Sequence, residues 1–211
     1  MESKAIGDEG RRDLVVLVAD LTMQVTLRTI LSRHKALGIR KLDFLVIPHP
    51  EHDPGVFLRS PDFLKPLRKE YHHALVMCDL EGSGGHQLSS VEMAQDLTHR
   101  LSLDWDDKCA VIVFDPELEI WLWSQSPEVD RVLGWHERTP SLREWLVENE
   151  LLSEGGVKPK RPKEAVERAL KTVRKPRSAA LYGRLAGTVS LRRCEDSGFL
   201  RFRTILRTWF G

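Results

Sequence analysis

Four short runs of Val, Ile, Leu and Phe constrain this chain more than any other feature: LVVLV at 14–18, DFLVI at 43–47, ALVMC at 74–78 and AVIVF at 110–114. Apolar runs of this length without alternation read as strands covered on both faces. Between the first two lies TMQVTLRTILSRHKAL, in which Met23, Leu27, Ile30, Leu31 and Leu37 recur at helical spacing, with Thr22 as a candidate N-cap. Between the last two, SSVEMAQDLTHRLSL repeats the pattern with Val91, Ala94, Leu97 and Leu101, and Ser89 or Ser90 can cap it. A shorter helix is expected over 62–71, after a loop reading PHPEHDPG. Strand, helix, strand in regular succession predicts an α/β fold: a mostly parallel four-stranded sheet with right-handed crossovers, flanked by helices. Ligands of such sheets bind beyond the carboxyl ends of the strands.

After the fourth run the text turns helical, through ELEIWLWSQ, SLREWLVENELL, KEAVERALKTVR, SAALYGRLAGTV and GFLRFRTILRTWF. The sharpest break is SEGGVKPKRP at 153–162, so an α/β core over 1–152 and a helical C-terminal extension over 153–211 are expected. The net charge of +1 hides an asymmetry across that break: residues 1–150 carry 17 Lys and Arg against 26 Asp and Glu, and residues 151–211 carry 15 against 5. Opposite signs should draw the extension onto the core. Alternatively its cations are free for phosphate backbones, the candidates being Lys158, Lys160, Arg161, Lys163, Arg174, Lys175, Arg177, Arg192 and Arg193. A solvated helix face would read the same way.

No apolar run approaches the roughly 20 residues of a membrane span, and the polar start lacks the hydrophobic stretch of a secretory signal. Three cysteines, Cys78, Cys109 and Cys194, do not suggest a disulfide framework, and the cytoplasm is the expected location. The six tryptophans read mostly as core or interface packing.

The chemistry gathers at strand ends. The third run leads into Asp79-Leu80-Glu81-Gly82, the fourth into Asp115-Pro116-Glu117-Leu118-Glu119, and the first ends beside Asp20. Carboxylates converging from neighbouring strands repel one another and call for a divalent cation, a basic partner or a proton. Magnesium, or manganese in its place, suits an open edge of oxygen ligands. Acids in these positions also cap the helices that follow, and both readings stay open. His49, Glu51, His52 and Asp53 lack the second ligand set of a structural zinc site, and the Gly82–His86 turn lacks the lysine of a phosphate-binding loop.

These pieces together carry a resemblance. The strand ending in D-x-E-G (Asp79 to Gly82), the strand running into P-E-L-E-x-W-L (Pro116 to Leu122), Pro162-Lys163, Tyr182 and the closing S-x-F pattern (Ser197, Phe199) resemble the TOPRIM-like proteins of the RloB type. The resemblance implies a TOPRIM/Rossmann-like fold and a role in a bacterial antiphage defence system, with magnesium-dependent phosphodiester chemistry on nucleic acid and other proteins of that system as partners. It implies Asp79, Glu81, Asp115 and Glu119 as metal ligands, Glu119 or Asp20 as general base, and Lys163 with Arg192 and Arg193 holding phosphate charge. The sequence departs from the family where a glutamate ends the first strand: Ala19 stands there, and Met23 occupies a further acidic position. The alternative is a catalytically degenerate module that binds a partner protein or nucleic acid.

Overall fold

The computed structural model describes residues 10–85 and 87–211; the opening segment and His86 of the glycine-rich turn lie outside the described residues. All four apolar runs form strands, β1 (Arg12–Val18), β2 (Phe44–Pro48), β3 (Tyr71–Asp79) and β4 (Cys109–Phe114). They pair entirely in parallel in the order β2-β1-β3-β4, with Val15 beside Leu45 and Ala74, and Val76 beside Val111. Residues 74–79 and all of β4 are buried, which is why these segments show no polar alternation. The result is an α/β fold of Rossmann/TOPRIM-like type.

Helix α1 (Leu21–Ser32) starts two residues earlier than its sequence pattern suggests, because Asp20 rather than Thr22 is the cap, its Oδ1 accepting the Met23 amide at 2.8 Å. A one-turn helix α2 (His34–Leu37) follows and ends on left-handed Gly38. The second crossover differs from expectation. PHPEHDPG is not a loop: α3 (His52–Leu64) begins inside it and gives way to a 3₁₀ segment, Lys65–Lys69, where the helix over 62–71 was expected. Pro54 lies in the first turn, where amides have no intrahelical partner, so it does not prevent the start. Gly55 lets that turn close onto the residue after β2, since a Cβ there would collide with the His49 ring. Helix α4 (Ser90–Trp105) opens with a capping box between Ser89 and Glu92.

Beyond β4, ELEIWLWSQ forms only a 3₁₀ turn over Leu118–Trp121. Then come α5 (Pro127–Leu133), α6 (Leu142–Glu148), α7 (Pro162–Thr172), α8 (Ala179–Thr188) and α9 (Ser197–Phe210). Helix α8 lies along α1, close enough that a Cβ on Gly183 would meet Val25 at 2.8 Å, and Arg33 of the α1–α2 link donates to the Ala186 and Val189 carbonyls. Helix α9 packs against β4; its Phe199 and Phe202 surround Trp121, and Trp209 stacks on His73 with ring centres 4.5 Å apart. One buried apolar cluster therefore runs from Leu14 to Phe210. Among the described residues no helix is long and apolar enough to cross a membrane.

Candidate functional site

In the strand order β2-β1-β3-β4, the crossover from β1 leads to one side of the sheet and that from β3 to the other. The carboxyl ends of β1 and β3 therefore flank a switch point, where a crevice opens in folds of this kind. Asp79, the last residue of β3, sits there at 6% exposure. Its amide donates to Asp53 Oδ1 at 2.8 Å from the first turn of α3, and its own Oδ1 accepts the Leu118 amide at 2.8 Å. The 3₁₀ turn after β4 aims Glu119 inward, at 2% exposure, beside the buried Glu117.

The cations reach this crevice from the C-terminal helices. Tyr182 of α8 donates its hydroxyl to Glu119 Oε1 at 2.6 Å, and Arg177 stands 3.4 Å from the same oxygen while also donating to Tyr182 and Glu167. Lys163, in the first turn of α7, lies 3.2 Å from Glu117. Trp121 and Trp123 act beneath these contacts: the first donates to Asp196 ahead of α9, the second to the Pro162 carbonyl at the start of α7. They tie the Glu119 turn to the helices that supply its counter-ions.

Electrostatics follow from this packing. Burial, then the charges of Asp53 and Glu119, push the Asp79 carboxyl well above the ordinary carboxylate range, against the Leu118 amide and Lys163. Burial also raises Asp53, with a further push from Asp20 that the Asp79 amide and Lys163 oppose. Glu119 is raised by burial despite the Tyr182 hydroxyl and Arg177. Burial opposes the charge on Lys163, yet Glu117, followed by Glu119 and Asp79, holds its ammonium above its usual value.

Of the residues nominated from the sequence, Asp79, Glu119 and Lys163 meet in the crevice. Glu81 and Asp115 do not join them. Glu81 is exposed in the turn after β3, and exposed Asp115 accepts from Ser90 Oγ at 2.9 Å at the start of α4. Asp20 is committed to capping α1, and Ala19, at 1% exposure, contributes no polar atom. Several of the proposed phosphate contacts are likewise engaged within the chain: Arg177 with Glu119, Arg161 with Glu164, and Lys175 with the Val132 carbonyl. Lys160, Arg174, Arg192 and Arg193 are exposed, while the Lys158 Nζ is shielded from solvent.

Two members of the crevice were not nominated as site residues. Asp53 sits in a segment whose prolines read as loop, and only the tertiary fold brings it under Asp79. Glu117 is buried only because the chain turns inward after β4 and α7 brings Lys163 to it, neither of which its local sequence signals. Among the described residues, no group of three or more His, Cys, Asp and Glu side chains is arranged to hold a metal ion. The acids present do not fit the four-ligand magnesium set: two point elsewhere, and Glu117 and Glu119 are already held by Lys163 and Arg177. No protein-family model, curated protein or solved structure matches the chain.

Proposed function

We propose that this chain is a catalytically degenerate TOPRIM-like module of a bacterial defence system, one that binds a partner protein or nucleic acid rather than cleaving a phosphodiester itself. The observation that carries this reading is at the end of β1. The position where the family's general base is expected is the buried Ala19, and the adjacent Asp20 spends its carboxylate on the α1 cap. A general base must reach the proton it abstracts, and a capping carboxylate facing its own helix does not. Supporting it, the crevice anions are answered from within by Lys163, Arg177 and Tyr182, and hold α7 and α8 to the sheet. The D-x-E-G and P-E-L-E-x-W-L elements are the ground for the defence-system context.

The test uses the full chain. Melting is followed in chelator, then in excess magnesium or manganese, and the protein is incubated with single- and double-stranded DNA and RNA. The expected outcome is an unchanged Tm with either ion and no metal-dependent cleavage, because an ion bound only to the folded state would raise Tm by mass action. Cleavage that needs the metal and disappears in Asp79→Ala would overturn the proposal.

A further inference from the structure

The last stretch of the chain carries a charge that the fold does not answer. Residues 171–211 hold 10 Lys and Arg against 2 Asp and Glu. Three of those cations are taken up internally: Lys175 by the Val132 carbonyl, Arg177 by Glu119 and Glu167, and Arg207 by the Leu37 carbonyl. Of the two acids, Asp196 spends its Oδ1 on the Phe199 amide and the Trp121 indole. Arg192 and Arg193, in the link between α8 and α9, and Arg201, on the outer side of α9, are exposed and make no ion pair or hydrogen bond among the described residues.

A helix face that meets only water is usually of mixed sign, and other helices of this chain follow that pattern. Arg100 pairs with Asp96 on α4, and Arg161 and Arg168 pair with Glu164 around the start of α7. Helix α9 instead has three arginines, Arg201, Arg203 and Arg207, and no acidic residue. Arg203 and Arg207 stand one turn apart, a like-charge spacing that weakens a helix. Burial raises the Cys194 thiol in the link, and the Arg203 charge reaches it in opposition, so the arginines of the link and of α9 share one field.

Three kinds of partner carry negative charge over a wide area, and this surface fits one of them. A lipid surface needs the apolar side of an amphipathic helix, but Phe199, Phe202, Leu206 and Phe210 are buried within the protein. An acidic protein needs apolar or aromatic anchors. Among the described residues the exposed large apolar side chains include no aromatic, and Leu200, at 37%, is the one on α9. The same lack of aromatics removes the stacking platforms that a single strand uses. What the surface does offer is guanidinium forks among hydroxyls: Ser197, Thr204 and Thr208 are exposed on the same helix as Arg201. That donor set grips phosphate oxygens, and 14 residues of helix span about 20 Å, room for several phosphates of a duplex. The acidic excess of residues 1–150 repels a polyanion from the rest of the molecule and confines it to this side.

We infer that the α8–α9 link and the outer face of α9 bind the phosphate backbone of a double-stranded nucleic acid without reading its sequence, with Arg192, Arg193 and Arg201 on the phosphates. DNA and RNA duplexes present the same backbone chemistry. The inference rests on the nucleic-acid arm of the reading above and gives it a surface and a ligand class.

The test is fluorescence anisotropy of the full chain, in chelator, with short labelled DNA and RNA duplexes of arbitrary sequence and with labelled poly-glutamate. Three phosphate contacts predict a slope of about −2.7 for log affinity against log salt, so affinity should fall about 40-fold between about 50 and about 200 mM salt. Arg201→Ala should reduce the steepness of that slope by about 1 and Arg192→Ala with Arg193→Ala by about 2, with Tm unchanged because the positions are exposed. Lys69→Ala, exposed in the 3₁₀ segment before β3, should leave the slope as it is. Equal affinity for the two duplexes supports contact confined to phosphates, and a tighter grip on one identifies it as the source. Absence of duplex binding at low salt, a slope unaltered by the arginine variants, or poly-glutamate bound as tightly as the duplexes overturns the inference. Binding is read without metal, so this failure is separable from that of the proposed function, which fails on metal-dependent cleavage.

Discussion

Asp79 is held in a position that costs the fold stability at neutral pH. Its carboxyl titrates well above the ordinary range in the folded protein, so between roughly pH 4, where an unfolded aspartate titrates, and that raised value the folded state binds the extra proton. Stability from this group is therefore present below the unfolded pKa and is lost as pH rises through the folded one. Asp79→Asn keeps the acceptor for the Leu118 amide and removes the charge. It should raise Tm by several degrees at pH 7.5, where about 1 kcal/mol corresponds to roughly 2–4 °C in a chain of this size. The gain should vanish as the melt is repeated toward pH 4. Tyr182→Phe acts in the opposite direction. It leaves the buried Glu119 oxygen with Arg177 alone and takes an acceptor from Arg177 Nε, so urea titration should register a loss of about 1–3 kcal/mol.

At the scale of elements, the start of α1 separates a structural carboxylate from a catalytic one. Asp20→Asn preserves a good N-cap and should leave stability within a few tenths of a kcal/mol, whereas Asp20→Ala should cost about 1 kcal/mol by denaturant midpoint. Were Asp20 a base, both changes would be equally damaging to activity. The start of α3 depends on close approach instead. Gly55→Ala drives a methyl group into His49 and the Glu51 stem, and should destabilise by about 1–3 kcal/mol in thermal melts, although alanine is the better helix former. This contact explains why α3 could not be placed from the sequence. Two prolines and a glycine outweigh helical periodicity in a local reading, but the first-turn amides need no partners and the glycine is required by the His49 side chain that follows β2.

For the molecule as a whole, the charge asymmetry has a concrete form. Lys163 on α7 and Arg177 just before α8 meet Glu117 and Glu119 beyond β4, while α8 buries Tyr182 and Leu185 and α9 buries Phe199, Phe202 and Leu206 against the sheet and its first helix. A fragment ending at residue 152 would expose this surface and leave Glu119 buried without its counter-ion. It should fail to give a cooperative melt or dispersed amide resonances. The four strands, α1 and α4 were legible beforehand because each depends on a local signal: apolar runs covered on both faces, helical spacing, and a serine or aspartate at the first turn. Asp79 and Glu119 were legible for the same reason, standing where strands end. What only the tertiary structure decided is which acids share a space. Asp53 enters through the fold of α3, Asp115 turns away to Ser90, and Asp20 is taken up by its own helix, because direction and burial are set by packing between segments distant in the chain rather than by spacing along it.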